Sequence, residues 1–240
     1  MNRFLILMGM GVALSCGATV DAVALSRSSA MPLGRSTAAP TGYVVFCAQR
    51  PAECQRLEYA DTVSDEGSIA NYWSAVFHPS VTPQYLRRMP AADFGLVSLT
   101  ASSKATLVKT NRQINRLIRA RPDDDASQAN DTWSLPLEEG RREGDCEDYV
   151  LEKRRALVRA GFPSAALSIA VVDTVAGSRH AVLIVGTDQG ELVLDSRSPW
   201  ILPWEDVSYA WIKRQSPGDP NRWVELSGLS GHKVRAQFRR

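Results

Sequence analysis

Past its opening residues the sequence has no apolar run long enough to cross a bilayer, no internal repeat and no marked excess of either charge. Lys and Arg number 28 against 26 Asp and Glu, a net charge of +2. That balance makes no case for a nucleic-acid or membrane-surface partner. The basic end (Lys233, Arg235, Arg239, Arg240) reads as a polar tail over 229–240. Cysteine and histidine are scarce, at four and three in 240 residues, so thiol or imidazole chemistry has few candidates. What is present, 44% apolar and 22% charged residues, suits one soluble globular domain with a full core.

The first segment is not part of that domain. "MNRFLILMGMGVALSCGATVDAVALS" has a charged start at Arg3, an apolar run from Phe4 to Leu14, then small residues. This is the layout of a signal peptide, 1–24, ending at Ala22-Val23-Ala24. Lipidation of Cys16 is the alternative. An exported, periplasmic or secreted, protein keeps disulfides. Cleavage leaves Cys47, Cys54 and Cys146, and "FCAQRPAEC" brings the first two into one short loop as a disulfide. Cys146 is then alone. An unpaired thiol in an exported protein is an oxidation hazard, so its retention suggests use; a buried inert thiol is the bland alternative.

Residues 25–42 read as a flexible mature N-terminus, with a single domain over 43–228. Residues 102–120 are helical by period, with Leu107, Ile114, Leu117 and Ile118 on one side. A second helix opens at Cys146, with Asp145 as N-cap and Asp148 at its third position. Cys146, Tyr149, Val150, Leu157 and Ala160 share its apolar stripe, and Gly161 and Pro163 end it. Then the period becomes extended: "LSIAVV", "HAVLIV" and "ELVLD", with "VSYAWIKR" or "RWVEL" as a last strand. Helices first and antiparallel sheet second make an α+β domain.

"GDCEDY", residues 144–149, poses the chemical question, because carboxylates beside a thiol oppose its ionisation. A helix N-terminus works the other way and favours thiolate. A hairpin turn centred on Thr187-Asp188 would set His180 directly opposite Asp195, on one face, as an oriented imidazole. A sheet packed on the second helix would bring His180 to Cys146. Nucleophile, base and orienter would then serve acyl transfer at an amide. His78, in a Pro-flanked loop, and His232, in the tail, are weaker candidates.

"NDTWSLPLEEGRREGDCEDYVLEKRRALVRAGFP", followed by "RHAVLIV" and "LVLDSR", resembles the bacterial transglutaminase-like cysteine proteinases, whose best-known members are the LapG-type periplasmic proteases. The resemblance runs from about Leu107 to Trp223. It implies a papain-like, transglutaminase-like core of N-terminal helices on a C-terminal antiparallel sheet, and a Cys146-His180-Asp195 triad. It also implies Ca²⁺ dependence, which answers the question posed by the carboxylates. Asp145 and Glu147, then Asp148, are the matching ligands, with Asn130 and Asp131 able to complete the shell. The alternative is that Asp145 and Asp148 only cap the helix. Trp133 matches a tryptophan whose indole N–H helps to hold an oxyanion in related folds; packing is its other reading.

Residues 43–100 depart from the family pattern and read as a branch-specific addition. Relatives of this type cut a large surface adhesin and are restrained by an inner-membrane cyclic-di-GMP receptor. The resemblance thus implies a protein substrate of that kind and such a regulator. Two other functions fit the same residues: a peptidoglycan-peptide amidase or transpeptidase, and a binding module that has lost turnover.

Overall fold

The computed structural model describes residues 30–55, 95–121, 132–226 and 228. The expected signal peptide, Cys16, His78, His232, Asn130, Asp131, the basic tail and residues 56–94 of the expected branch-specific part lie outside these residues.

A short strand β1 (Ser36–Thr37) leads to α1 (Thr41–Gln49) and a 3-10 turn (Pro51–Cys54). Next come α2 (Ala101–Leu117), β2 (Arg119–Ala120), β3 (Glu143–Gly144) and α3 (Cys146–Arg159). The chain then forms β4 (Leu167–Thr174), β5 (Arg179–Thr187), β6 (Gly190–Leu194), β7 (Leu202–Pro203), β8 (Tyr209–Ser216) and β9 (Asp219–Glu225). The main sheet is antiparallel, in the order β1-β9-β8-β4-β5-β6-β7. Both candidate last strands form, and they pair with each other.

Residues 30–42 are not the flexible lead expected. Val, Ile and Trp on the far side of the sheet need a cover, and this segment helps to supply it. Met31 is 2% exposed and its N–H donates to Glu191 Oε2 at 2.8 Å, while Ser36 and Thr37 pair with Val224 and Trp223. The Cys47–Cys54 disulfide is formed. Cys54 and Tyr43 belong to the main core, so residues 43–54 pack with the rest of the domain.

α2 starts on a capping box: the Ser103 N–H donates to Thr100 Oγ1 at 3.1 Å, and the Thr100 N–H to Ser103 Oγ at 2.8 Å. It ends at Leu117, and Arg119 has already turned into β2. α3 spans the segment read as the second helix, but Ala160 at its end is exposed and does not extend the apolar stripe. The sheet separates two apolar clusters. Ala181, Leu183 and Val185 join Leu107, Trp133, Val150 and Leu157 on the helix side, whereas Val182 and Ile184 meet Trp204 and Trp211 on the other. Period-two alternation on a sheet covered on both sides gives this split.

Candidate active site

The β5–β6 hairpin turns at Asp188-Gln189, one residue later than expected, with Leu183 opposite Leu194 and Thr187 opposite Gly190. Thr187 Oγ1 fixes that turn by donating to the Gly190 carbonyl at 2.6 Å. His180 and Asp195 are therefore not directly opposed. The displaced turn moves the pairing by two residues, which keeps both side chains on one face. They meet diagonally, with His180 Nε2 2.7 Å from Asp195 Oδ1. Both are buried, at 4% and 5% exposed.

Asp195 has two more donors. The Arg197 N–H reaches Oδ1 at 2.9 Å and the Tyr209 hydroxyl reaches Oδ2 at 2.5 Å. Burial opposes its charge, yet the bonds from His180, Tyr209 and Arg197 outweigh that and hold the carboxyl below its ordinary value. An ionised carboxylate only accepts, so Nε2 carries the proton of a neutral His180 ring and Nδ1 is left as an acceptor. Burial, then the bond to Asp195, raises the Tyr209 hydroxyl. Tyr209 was not singled out from the sequence; only its place in the "VSYAWIKR" strand pointed towards it.

Cys146 is the free cysteine among the described residues and opens α3, packed against the helix-side core. The Ala181 N–H is directed at its sulfur, so the thiol meets β5 one residue from His180. The Tyr209 hydroxyl feels the charge of both Asp195 and Cys146. However, the thiol donates to Glu147 Oε2 at 3.0 Å, and among the described residues no Cys146–His180 hydrogen bond forms. Burial first, then the Glu147 carboxylate, pushes the thiol pKa up, outweighing the Ala181 N–H. The expected pull of the helix N-terminus towards thiolate does not prevail here.

The neighbouring carboxylates divide their work. Asp145 is the N-cap by position, but its side chain makes no cap bond. Asp148, 4% exposed, accepts the Asp145 N–H and the Ser134 N–H and hydroxyl, the last two at 2.7 and 3.0 Å. Burial, then the charge of Asp145, raises it to about 7. Asp148 thus ties the segment before the helix to the helix itself, and Gly144 is required there because a Cβ would lie 2.5 Å from its Oδ2. Among the described residues no group of three or more His, Cys, Asp or Glu stands ready to hold a metal. Asp145 and Glu147 offer the hard oxygen donors that calcium takes, in a place already overloaded with negative charge, and so fit as part of a ligand set.

Trp133 is 4% exposed in the main core, edge-on to Tyr43 with ring centroids 5.3 Å apart, so packing is a role it fills. A cleft of about 540 Å³ lined by Arg119, Arg121, Ser134, Arg141, Arg142 and Asp148 lies beside the α3 N-terminus, and Cys146, His180 and Asp195 are not among its walls.

Helices packed on an antiparallel sheet, with a free thiol at a helix tip beside a His–Asp pair, define a cysteine-hydrolase class of transglutaminase-like fold. The family model for the bacterial transglutaminase-like cysteine proteinases matches residues 88–230, and the chain belongs to that family. It is therefore a cysteine peptidase. No curated protein matches the chain. Solved structures of Legionella pneumophila LapG are similar. The calcium-bound form has 23% identity and a TM-score of 0.45, covering 71% of this chain and 97% of that one. The EGTA-treated form has 23% identity and a TM-score of 0.43, covering 73% and 91%.

Proposed function

We propose that the protein is an exported, calcium-assisted endopeptidase in which Cys146 is the nucleophile, His180 the general base and acid, and Asp195 the orienter. The observation that carries this reading is the 2.7 Å His180–Asp195 bond at the start of β5, one residue from the strand N–H that meets the thiol. The thiol proton passes to His180 Nδ1, the thiolate attacks the scissile carbonyl, and His180 returns the proton to the leaving amine. Water then hydrolyses the thioester, with His180 again as base. The Cys146 backbone N–H, in the first turn of α3, is a donor for the oxyanion, and Trp133 is the candidate second donor.

Asp145 and Glu147 would hold the ion, with Asn130 and Asp131 as further ligands, while Asp148 stays with Ser134. A bound calcium would supply positive charge beside the thiol, where Glu147 now raises its pKa. The substrate is an exported or surface protein, such as a large adhesin, with an inner-membrane cyclic-di-GMP receptor as regulator. Among the described residues no helix is long and apolar enough to cross a membrane. The test is incubation of Cys146→Ala and wild type with exported proteins of the same cell, with and without chelator. Cleavage by wild type alone, weakened by chelator, is expected. Wild-type cleavage by a folded Cys146→Ala overturns the assignment, and cleavage only of peptidoglycan peptides points to an amidase.

A further inference from the structure

Lys153 is fully buried, yet its Nζ makes no hydrogen bond among the described residues. It stands seven residues after Cys146 on α3, two turns along the same stripe. Helical side chains lean towards the N-terminus, and Nζ lies 5.9 Å from the centre of the Tyr149 ring, one turn nearer the thiol. The charge of Asp195 acts on it.

Two complementary atoms are also unpaired: Asn111 Oδ1 and Asn115 Oδ1, both buried acceptors on α2. The amide nitrogens of these side chains are committed. Asn115 Nδ2 donates to the Asp195 carbonyl at 2.9 Å, and Asn111 Nδ2 to the Ser198 carbonyl at 2.9 Å. The end of α2 meets the start of α3, because β2 pairs with β3 and the Tyr149 hydroxyl donates to the Ile118 carbonyl at 2.7 Å. Tyr149 packs with Ile114 and Ile118. Lys153 is one turn beyond Tyr149 on α3, Asn111 and Asn115 lie within one turn of Ile114 on α2, and Asp195 is common to both sides: its charge acts on Lys153 and its carbonyl accepts from Asn115. One water between the buried amine and these two buried carbonyl oxygens gives all three a partner.

We propose that Lys153 is a positioning residue for the proteolytic reaction: its amino group is linked to the Asn111 and Asn115 side-chain oxygens through one bridging water, and the two asparagines hold the Asp195–Ser198 turn that presents Asp195 to His180. This inference rests on the triad reading above.

The test joins iodoacetamide alkylation of Cys146 in the full chain with the low-field proton NMR signal of the imidazole N–H bonded to Asp195. Lys153→Met is expected to slow alkylation roughly tenfold and to move or broaden that signal. Lys153→Met with Asn115→Leu is expected to be no slower than the slower single variant, as for residues acting in series. Wild-type alkylation with an unmoved signal in Lys153→Met overturns the proposal, as does slowing in the double variant equal to the product of the singles. Should Lys153→Met not fold, Asn115→Leu alone is expected to slow alkylation and move the signal, and no change in either overturns it. His180→Ala separates the two readings. If it alkylates at the wild-type rate, the triad reading fails, and the NMR signal still decides for or against Lys153. If it is slow while Lys153→Met matches wild type in both readouts, only the Lys153 proposal fails.

Discussion

His180 and Asp195 are bonded at 2.7 Å without being cross-strand partners. Asp195 stands just past the end of β6, and its side chain reaches back across the diagonal, where cross-strand neighbours remain within range of longer side chains. The carboxylate's other two bonds, to Tyr209 and the Arg197 N–H, leave it little freedom to turn. Asp195→Asn should present its amide N–H groups to the ring and disfavour the tautomer with Nδ1 free. Loss of cleavage by about 10²- to 10⁴-fold is expected with little change in melting temperature. Unchanged turnover would remove Asp195 from the mechanism.

Tyr209 touches the second oxygen of the same carboxylate, and its ring stands edge-on to His180, centroids 5.8 Å apart. Tyr209→Phe keeps that packing and deletes one donor. Activity should fall modestly, roughly three- to thirtyfold, since Arg197 and His180 still hold Asp195. A loss as large as that of Asp195→Asn would give Tyr209 a direct part in the chemistry.

Much of this arrangement was legible in the sequence because it rests on local signals. The thiol at the start of α3, the runs of β4, β5 and β6, and the Cys47–Cys54 loop follow from period, capping and spacing. The hairpin register differs by two from that expected of its composition, because the turn falls at Asp188-Gln189, where the Thr187 hydroxyl bonds the Gly190 carbonyl, a contact that composition does not show. The parity survived, and with it the His–Asp pair. Long-range features were hidden. Nothing local announces that Met31 is tucked against the Glu191–Arg214 ion pair, itself 2.8 Å long and buried. Asn111 and Asn115 sit among mostly polar neighbours on α2 and read as ordinary surface residues until the Asp195–Ser198 turn is laid on them.

Glu147 accepts a hydrogen bond from the thiol it stands beside. Burial raises the Cys146 pKa most and Glu147 next, so Glu147→Gln should lower it while leaving burial in place. The acid limb of the alkylation rate should move to lower pH, with the rate at pH 8 in chelator rising roughly tenfold. Calcium should speed alkylation in wild type and have less effect in the variant. An unmoved acid limb would mean that burial alone sets the thiol, and equal calcium responses would take Glu147 out of the ligand set.

The Cys47–Cys54 bridge closes a short loop whose backbone is used elsewhere in the fold. The Glu53 carbonyl accepts from Arg154 Nη1 at 2.7 Å, and the Cys54 carbonyl from Asn221 Nδ2 at 3.2 Å. Replacing both cysteines by alanine should cost about 2 kcal/mol, the value for so short a loop, and lower the melting temperature by roughly 5 °C. Calorimetry of wild type with and without reductant checks this. An unchanged melting temperature would show that the core around Tyr43 and Phe46 suffices without the bridge.

Lys153 also sets a pH signature on stability. Burial depresses its pKa from the ordinary 10.5 to about 7, with Asp195 opposing the shift. The folded state therefore favours the neutral amine, while the unfolded chain stays protonated up to pH 10.5. Folding releases a proton between those values, so this contribution to stability is complete above pH 10.5 and is lost as pH falls through about 7. The resulting penalty at pH 6 is on the order of a few kcal/mol, at about 1.36 kcal/mol per tenfold of depression. Lys153→Met removes the penalty and keeps an unbranched chain of similar volume in the core. Its melting temperature should exceed that of wild type at pH 6, and the gap should close as pH approaches 10. Greater stability with slower Cys146 alkylation would mark a residue kept for the site at the expense of the fold. A variant less stable than wild type at pH 6 would mean that the contacts of the amine outweigh the cost of burying its charge.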